Sequence, residues 1–233
     1  GNGEVAFYSS LDADSEGQEG KYYVWTKKQV EEVLGEEAAS FNEQFNITDQ
    51  GNWEHGLNIL HMRPGKKNAS SQQERLTSQK QKLLSAREQR VSPGLDHKVL
   101  TSWNALMLSA LTDAYRALGD EAYLDMALKN AHFLESNMMN EDYSLNRNFI
   151  QGKPGINAFL DDYAFLISAF IALYQVTFDE HWLRYARELT KYAISHFYDA
   201  GNKRFHYNSS DDPELIVRPS ETDDNVIPSS MSV

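Results

Sequence analysis

The chain has no cysteine among its 233 residues, which excludes disulfide scaffolds, thiolate metal sites and thiol nucleophiles within it. It is also poor in positive charge, because 22 lysine and arginine residues stand against 34 acidic ones and give a formal net charge of −12. Nucleic acids and anionic membranes bind basic surfaces, so neither is an expected partner. The most apolar run, residues 163–174, is shorter than the ~20 residues that a membrane span needs.

The sequence motifs of several enzyme classes are missing as well. There is no nucleophile elbow, no Gly-rich phosphate loop and no HExxH motif, so hydrolase triads, nucleotide transfer and zinc chemistry have no support. The seven histidines show no metal-ligand spacing. We therefore expect no cofactor and no bound metal. The compartment cannot be read from composition, and since no signal peptide opens the sequence we expect a cytoplasmic protein.

One segment, residues 159–177, has the composition of a fully buried helix. After Asp162 almost no polar residue appears until Gln175, so this helix has no solvent face and must be surrounded by other elements. Asp161 and Asp162 stand at its start, where a capping oxygen and negative charge are favourable. A single cap position uses only one of them. The other either bonds a loop or serves as a general acid/base or sugar-hydroxyl acceptor, and the sequence leaves both readings open.

An internal repeat organises residues 100–198. A shift of 59 residues places Ala105 on Ala164 and Leu124 on Leu183, among many other matches. Each repeat comprises an apolar helix, an Asp-Glu turn and a more amphipathic helix, which predicts a helical hairpin. The predicted helices are 102–118, 121–138, 160–177 and 180–197.

Buried helices that alternate with amphipathic ones are typical of an (α/α) toroid of helical hairpins. We therefore predict a mainly α fold, like that of six-hairpin glycosidases but partial, with small β-hairpins over one end. Residues 1–233 are interpreted as a single toroid domain or a fragment of one from a longer protein. Its parts are 1–65 (acidic loop, strands including one at 58–62, first helix pair), 66–99 (polar helix and loop), 100–198 (two repeated hairpins) and 199–233 (β-hairpin loop and the start of the next helix at Ser229).

In this fold the N-termini of the inner helices share one face, where three sequence clusters would meet. The first comprises Asp96, His97, Lys98, Trp103 and Asn104. The second is Asp161, Asp162 and Tyr163, and the third is Asp223, Asp224 and Asn225. The repeat is regular in its apolar body and diverges at these positions, which is expected of a site on a scaffold and also of drift in a cap.

A second acidic set lies in the loop of residues 11–20 and comprises Asp12, Asp14, Glu16 and Glu19. It half-matches a calcium loop, but Tyr23 stands where a bidentate glutamate is needed, so we favour an acidic turn or a substrate-facing loop over bound calcium. The aromatic residues Tyr22, Tyr23 and Trp25 either stack on a sugar ring or belong to a core.

Several strings together resemble a known family. FYSSLDADSEGQEGKYYVWT, NILH at 58–61, DHKVLTSWNALM, LDDYAFLI and PSETDDNVIPSSMSV are similar to those of the thioredoxin-domain-containing family that includes the spermatogenesis-associated thioredoxin-like proteins. The resemblance implies a toroid similar to those of N-acylglucosamine 2-epimerase and six-hairpin glycosidases, and a thioredoxin-like domain elsewhere in the full-length protein. His97 stands where the family usually has a second aspartate. The paired catalytic histidines of true epimerases have no counterpart here.

Our first hypothesis is a carbohydrate-active or carbohydrate-binding domain whose partner is a small molecule such as a sugar. A sugar isomerase or glycoside hydrolase activity would rest on the fold resemblance alone. The catalytic candidates are Asp161 and Asp162, and the substrate-binding candidates are Asp12, Asp14, Glu16, Tyr23, Trp25, Asp96, Lys98, Trp103, Asn104 and Tyr163. The alternative is a non-catalytic interaction module for the absent thioredoxin-like domain, with the basic segment 66–90 as contact; a solvated face is the simpler reading of that segment.

Overall fold

A computed structural model of the chain describes residues 5–62, 70–212, 218–220 and 227–230. Within these ranges the protein is mainly α, and its helical hairpins are those of a partial (α/α) toroid, which confirms the predicted fold class. The residues cluster into two compact units. The first comprises Gly1–Ser10 and His97–Val233, and the second comprises Leu11–Asp96.

The described helices and strands follow one another in this order: β1 (Ser10–Leu11), β2 (Asp14–Ser15), β3 (Gln18–Glu19), α1 (Lys27–Leu34), α2 (Ala38–Gln44), α3 (Ser70–Arg87), β4 (Leu95–Asp96), β5 (Val99–Leu100), α4 (Thr101–Leu118), α5 (Glu121–Met138), β6 (Asn148–Ile150), β7 (Lys153–Pro154), α6 (Leu160–Thr177), α7 (Glu180–Phe197), β8 (Tyr198–Asp199) and β9 (Arg204–Phe205). Short 3-10 turns cover Gly35–Glu37 and Glu54–Gly56.

The second unit is a small helical cluster with its own apolar core. Helix α1 begins at a capping box, because the Thr26 hydroxyl accepts from the Gln29 amide at 3.1 Å and the Gln29 side chain accepts from the Thr26 amide at 2.9 Å. Helices α1, α2 and α3 supply most of its core, whose buried members are Trp25, Val30, Leu34, Ala38, Phe41, Phe45, Ile47, Leu76 and Leu83. Helix α3 lies within the segment 66–99, and most of its residues are polar.

The first unit contains the two repeated hairpins, α4 with α5 and α6 with α7. Helix α6 starts and ends 59 residues after α4, and α7 is displaced from α5 by the same number, so the predicted repeat is confirmed in three dimensions. The Asp-Glu turns cap the second helix of each hairpin. Asp120 accepts from the Ala122 amide at 2.9 Å, and Asp179 accepts from the His181 amide at 3.0 Å.

Short antiparallel strands follow each hairpin, as predicted. Strands β5, β6 and β7 form a three-stranded sheet, and β8 pairs with β9. The predicted strand at 58–62 is wrong, because these residues make one isolated bridge, between Trp25 and Asn58. The buried side chain of Asn58 bonds the backbone of Thr48 instead: its Oδ1 accepts from the Thr48 amide, and its Nδ2 donates to the Thr48 carbonyl. These two bonds hold a turn rather than a pair of strands.

Helix α6 lies in the core between α4 and α7. On α4 the repeat positions Leu108 and Thr112 are fully buried. Their equivalents on α6, Ile167 and Ile171, line a groove of about 310 Å³ that Ser230 also reaches. The predicted third inner helix would start beside this groove and stays a prediction. None of the helices in the described ranges combines the length and apolar character that crossing a membrane requires.

Candidate functional site

The twelve side chains proposed from the sequence are divided between the two compact units. The first unit holds Lys98, Trp103, Asn104, Asp161, Asp162 and Tyr163, and the second holds Asp12, Asp14, Glu16, Tyr23, Trp25 and Asp96. The third sequence cluster, Asp223, Asp224 and Asn225, lies outside the described residues. The two sets are therefore considered separately.

Asp162 joins the N-terminal ends of the two inner helices. It occupies the third position of α6, where its Oδ2 accepts from the Phe159 amide at 2.9 Å. Its Oδ1 accepts from the Ser102 amide at 2.9 Å, in the first turn of α4. The residue preceding α4 is Leu100, which has no capping side chain, so Asp162 provides the acceptor that this helix end lacks. The side chain of Asp162 is fully buried.

Arg147 contacts both aspartates. Its Nη1 lies 3.0 Å from Asp161 Oδ1 and 3.0 Å from Asp162 Oδ2. The guanidinium stands over the ring of Phe159, with 4.6 Å from its carbon to the ring centroid. Asp161 Oδ1 also accepts from the Asp162 amide at 3.0 Å. Asp161 thus bonds a loop arginine and retains 6% of its side-chain surface exposed, whereas Arg147 retains 21%.

The electrostatics of this cluster follow from its burial. Burial, together with the neighbouring Asp161, raises the pKa of Asp162 to about 7, although Arg147 and the amide donors act in the opposite direction. Burial lowers the pKa of Arg147, but the charges of Asp162 and Asp161 outweigh it and raise that pKa overall. Asp162 can therefore exchange a proton near neutral pH, next to a permanently charged guanidinium.

Tyr163 and Asn104 are committed to internal hydrogen bonds. The Tyr163 hydroxyl accepts from the Leu145 amide at 2.8 Å, and burial raises the pKa of this phenol. The Asn104 oxygen accepts from the Phe7 amide at 2.9 Å, and its nitrogen donates to the Phe7 and Leu100 carbonyls at 3.0 and 2.9 Å. Both side chains are buried, and Asn104 anchors residues 5–9, the N-terminal segment.

Trp103 has a different environment. It lies next to Ser102 in the first turn of α4, and 43% of its surface is exposed. A large aromatic face at the helix end that Asp162 caps is free to stack on a ligand. Lys98 is half-buried, and its carbonyl accepts from the Ser9 amide and hydroxyl.

In the second unit the acidic loop is a tight hairpin. Asp14 pairs with Glu19 across β2 and β3, and the Asp12 carboxylate accepts from the Asp14 amide at 3.3 Å. Asp12, Asp14 and Glu16 are exposed, and Asp96 is half-buried. In the described part of the chain no three His, Asp or Glu side chains form a group that could hold a metal ion.

The aromatic pair and the basic segment of this unit have internal partners. Tyr23 is 41% exposed and meets Tyr22 edge to face, whereas Trp25 is a core residue beneath the Arg90 guanidinium at 3.9 Å. Lys82 pairs with Glu37 at 2.6 Å. Arg87 stands over Tyr22 and Tyr23, at 5.3 and 5.6 Å.

Arg147 is the residue of this cluster that sequence reasoning missed. Its signal was an arginine in the β-like string LNRNF, in the loop that precedes two adjacent aspartates in a chain with few cations. The loop separates Arg147 from Asp161 by 14 positions, so no helical or strand periodicity relates them.

The repeated hairpins and the polar cluster at their inner-helix ends define a helical-hairpin protein of the toroid class. Residues 72–215, more than half of the chain, match the family model described as the β-L-arabinofuranosidase GH127 catalytic domain. The chain belongs to this carbohydrate-related family.

The curated relatives are longer proteins. An uncharacterized protein of Caenorhabditis elegans is 31% identical over 97% of this chain and 36% of its own length. Spermatogenesis-associated protein 20 of Mus musculus is 29% identical over 97% of this chain and 34% of its own length. The family resemblance seen in the sequence is confirmed, and the chain spans about a third of the length of these relatives.

Solved structures of sugar-acting proteins are also similar. Cellobiose 2-epimerase from Bacillus thermoamylovorans matches with 24% identity and a TM-score of 0.44, over 47% of this chain and 29% of its own. The GH76 α-mannanase BT2949 of Bacteroides thetaiotaomicron matches with 17% identity and a TM-score of 0.45, over 59% of this chain and 42% of its own.

Proposed function

We propose that this chain is part of a carbohydrate-binding domain in which Asp161 and Arg147 contact sugar hydroxyls. The observation that carries the proposal is the difference in burial between Asp161 and Asp162. Among the described residues Asp162 accepts from two amides and from Arg147, and its side chain is fully buried, whereas 6% of the Asp161 side chain and 21% of the Arg147 side chain stay accessible. A carboxylate beside a guanidinium offers both an acceptor and donors to vicinal hydroxyls.

In this proposal the remaining candidates have separate roles. Asp162 is a positioning residue that fixes the ends of α4 and α6, and Trp103 offers its exposed face to a sugar ring. If the complete protein turns over its ligand, Asp161 is the acid that could touch the reacting atoms, because no ligand atom can reach a fully buried carboxylate without rearrangement. Asn104 and Tyr163 support the fold rather than the ligand.

The family name and the relatives suggest which sugars to test. Thermal shift and calorimetry with L-arabinose, methyl β-L-arabinofuranoside, cellobiose and D-mannose should identify a ligand that raises the melting temperature. Asp161→Asn should remove that shift. Asp113→Asn is the matched control, since Asp113 lies on α4 and, within the described part of the chain, its carboxylate bonds only the exposed Arg116. If no sugar stabilises the protein, or if the shift survives Asp161→Asn, the proposal is wrong.

The alternative, an interaction module for a thioredoxin-like domain, stays a prediction. The basic segment gives this alternative little support, because Lys82 and Arg87 already contact partners within the second unit. A pulldown of the separated domains that charge reversal at these two positions leaves unchanged would exclude that contact.

A further inference from the structure

The second unit contains an open cavity of about 840 Å³ to which the proposed function assigns no role. Its lining includes three segments: the β2–β3 hairpin, the 3-10 turn at Glu54–Gly56 with its neighbours Trp53 and Leu57, and residues 89–91 after α3. Lys21, Tyr22, Val24 and Gln29 complete it. All of its lining residues belong to this one unit. Its volume is within the range of small-molecule sites and leaves room for more than one sugar ring.

The walls of the cavity are held in place by backbone geometry and hydrogen bonds. The hairpin turns through Glu16 and Gly17, both with positive φ, as in the tight turns whose twist matches paired strands. The buried Ser15 hydroxyl donates to the Val91 carbonyl at 2.6 Å and ties the hairpin to the third wall. Across the cavity, the Trp53 amide donates to the Leu57 carbonyl at 2.9 Å and closes the second turn.

Arg90 fixes the remaining side. Its Nη1 donates to the carbonyls of Tyr22 and Val24 at 2.9 and 2.8 Å, while its guanidinium stacks on Trp25. The Arg90 guanidinium is therefore already bound by groups of the protein. The other cation, Lys21, pairs with Glu16 at 2.9 Å. Both of these positive charges thus already have partners within the protein, which disfavours an anionic ligand.

The groups that remain are those that bind uncharged sugars. Trp53 lies at the wall with 47% of its surface exposed, and a flat indole face of this kind packs against the C–H face of a sugar ring. Glu19 and Glu54 can accept hydrogen bonds from hydroxyls, and Gln18 and Gln89 offer both donors and acceptors. The set combines one apolar platform with polar groups around it.

We propose that this cavity binds a neutral oligosaccharide, with one sugar ring on Trp53 and hydroxyls donating to Glu19 and Glu54. The choice of ligand class rests on the proposed function, whereas the site and its residues do not. The two proposals therefore fail separately, because Asp161 and Arg147 belong to the first unit.

The test targets the exposed indole of the cavity. Of the chain's four tryptophans, Trp53 and Trp103 are exposed, by 47% and 43%, and Trp25 and Trp182 are buried. Calorimetric titrations would use cellobiose, cellotriose, mannobiose and xylotriose. For any saccharide that binds, Trp53→Ala should weaken the affinity about tenfold through the lost stacking, and Glu54→Gln should weaken it by a similar factor.

The control variants separate this cavity from the first unit. Asp113→Asn, a surface carboxylate of α4 outside both proposed sites, should leave the affinity of the cavity unchanged, and Trp53→Phe should retain part of it. Because Trp53 and Glu54 are exposed, their variants should keep the circular-dichroism melting curve of the parent protein. The titrations are made in an Asp161→Asn background, so that the proposed site of the first unit does not contribute. The inference is overturned if none of the four oligosaccharides binds saturably, if binding survives both Trp53→Ala and Glu54→Gln, or if spermidine binds at this cavity in their place.

Discussion

Replacing Asp162 by asparagine is expected to destabilise the first unit by about 2–4 kcal/mol at pH 7. The substitution keeps the shape of the side chain but exchanges one acceptor oxygen for a donor NH₂. Three donors converge on the native carboxylate: the amides of Ser102 and Phe159 and the guanidinium of Arg147. An asparagine can satisfy the donors on one side only.

The magnitude follows from that count. In the better rotamer the asparagine oxygen faces Phe159 and Arg147, and its NH₂ group opposes the Ser102 amide. One buried donor left without an acceptor costs about 1–3 kcal/mol. Loss of the charge opposite Arg147 adds to this, but the addition is below the about 3–5 kcal/mol of a broken buried ion pair, since Asp162 is partly protonated near neutral pH.

The cost should also depend on pH. The pKa of Asp162 is about 7 in the folded state, above its ordinary 3.8, so the folded state holds a proton that the unfolded state releases between these values. The stability that this proton contributes is complete below pH 3.8 and is lost as pH rises through 7. At about 1.4 kcal/mol per pH unit the interval corresponds to at most about 4 kcal/mol. Asparagine lacks this contribution.

Urea unfolding of the parent protein and of Asp162→Asn, followed by circular dichroism at pH 5, 6, 7 and 8, would measure both effects. The difference between the two unfolding free energies should shrink as pH rises. Asp113→Asn serves as the control for a surface carboxylate and should show no such trend. A variant as stable as the parent, or a difference that grows with pH, would refute the reasoning.

Three further predictions concern the scaffold. Asn104→Ala should release the N-terminal segment and lower the unfolding free energy by about 2–3 kcal/mol, and amide hydrogen exchange would report both changes. Asp120→Ala and Asp179→Ala should each cost about 1 kcal/mol in urea unfolding, because they remove equivalent caps from the two repeats. Gly51→Ala should lower the unfolding free energy by more than about 2 kcal/mol and lower the melting temperature. The reason is that φ of Gly51 is +75° and an added Cβ would fall on the Leu57 carbonyl.

Each of these has its own check. Unchanged exchange at the Phe7 amide in Asn104→Ala would show that the segment is held by other contacts. Costs that differ by more than about 1 kcal/mol between the two cap variants would contradict the energetic equivalence of the repeats. Gly17→Ala is the control for Gly51, since Gly17 has a similar φ of +72° and open space around it; equal losses would refute the steric argument.

Much of the first unit could be predicted because its signals are local. The apolar positions, the Asp-Glu caps at Asp120 and Asp179 and the left-handed Gly119 each act within a few residues. The repeat strengthens the prediction further, because the helix bounds of one hairpin can be checked against those of the other. The predicted bounds of α5, α6 and α7 are those of the structure, and α4 begins one residue earlier than predicted.

Strand predictions were weaker because a strand needs a partner. The string containing Asn58 has β-like composition, but its backbone meets another strand at one bridge. The N-terminal segment is also β-like, yet the Phe7 amide and carbonyl bond the side chain of Asn104 in place of a neighbouring strand. Sequence composition cannot tell these two outcomes apart.

The sequence by itself determined that a buried helix begins with two adjacent aspartates and that the chain repeats every 59 residues, because both are properties of neighbouring side chains. Only the tertiary structure decided what the two carboxylates do. Asp162 caps its own helix and α4 together, and Asp161 pairs with Arg147 from a loop. These partners are distant in sequence and meet because the packing of α4 against α6 brings their N-termini together, so burial and pairing assign to each acid a role that adjacency in sequence could not.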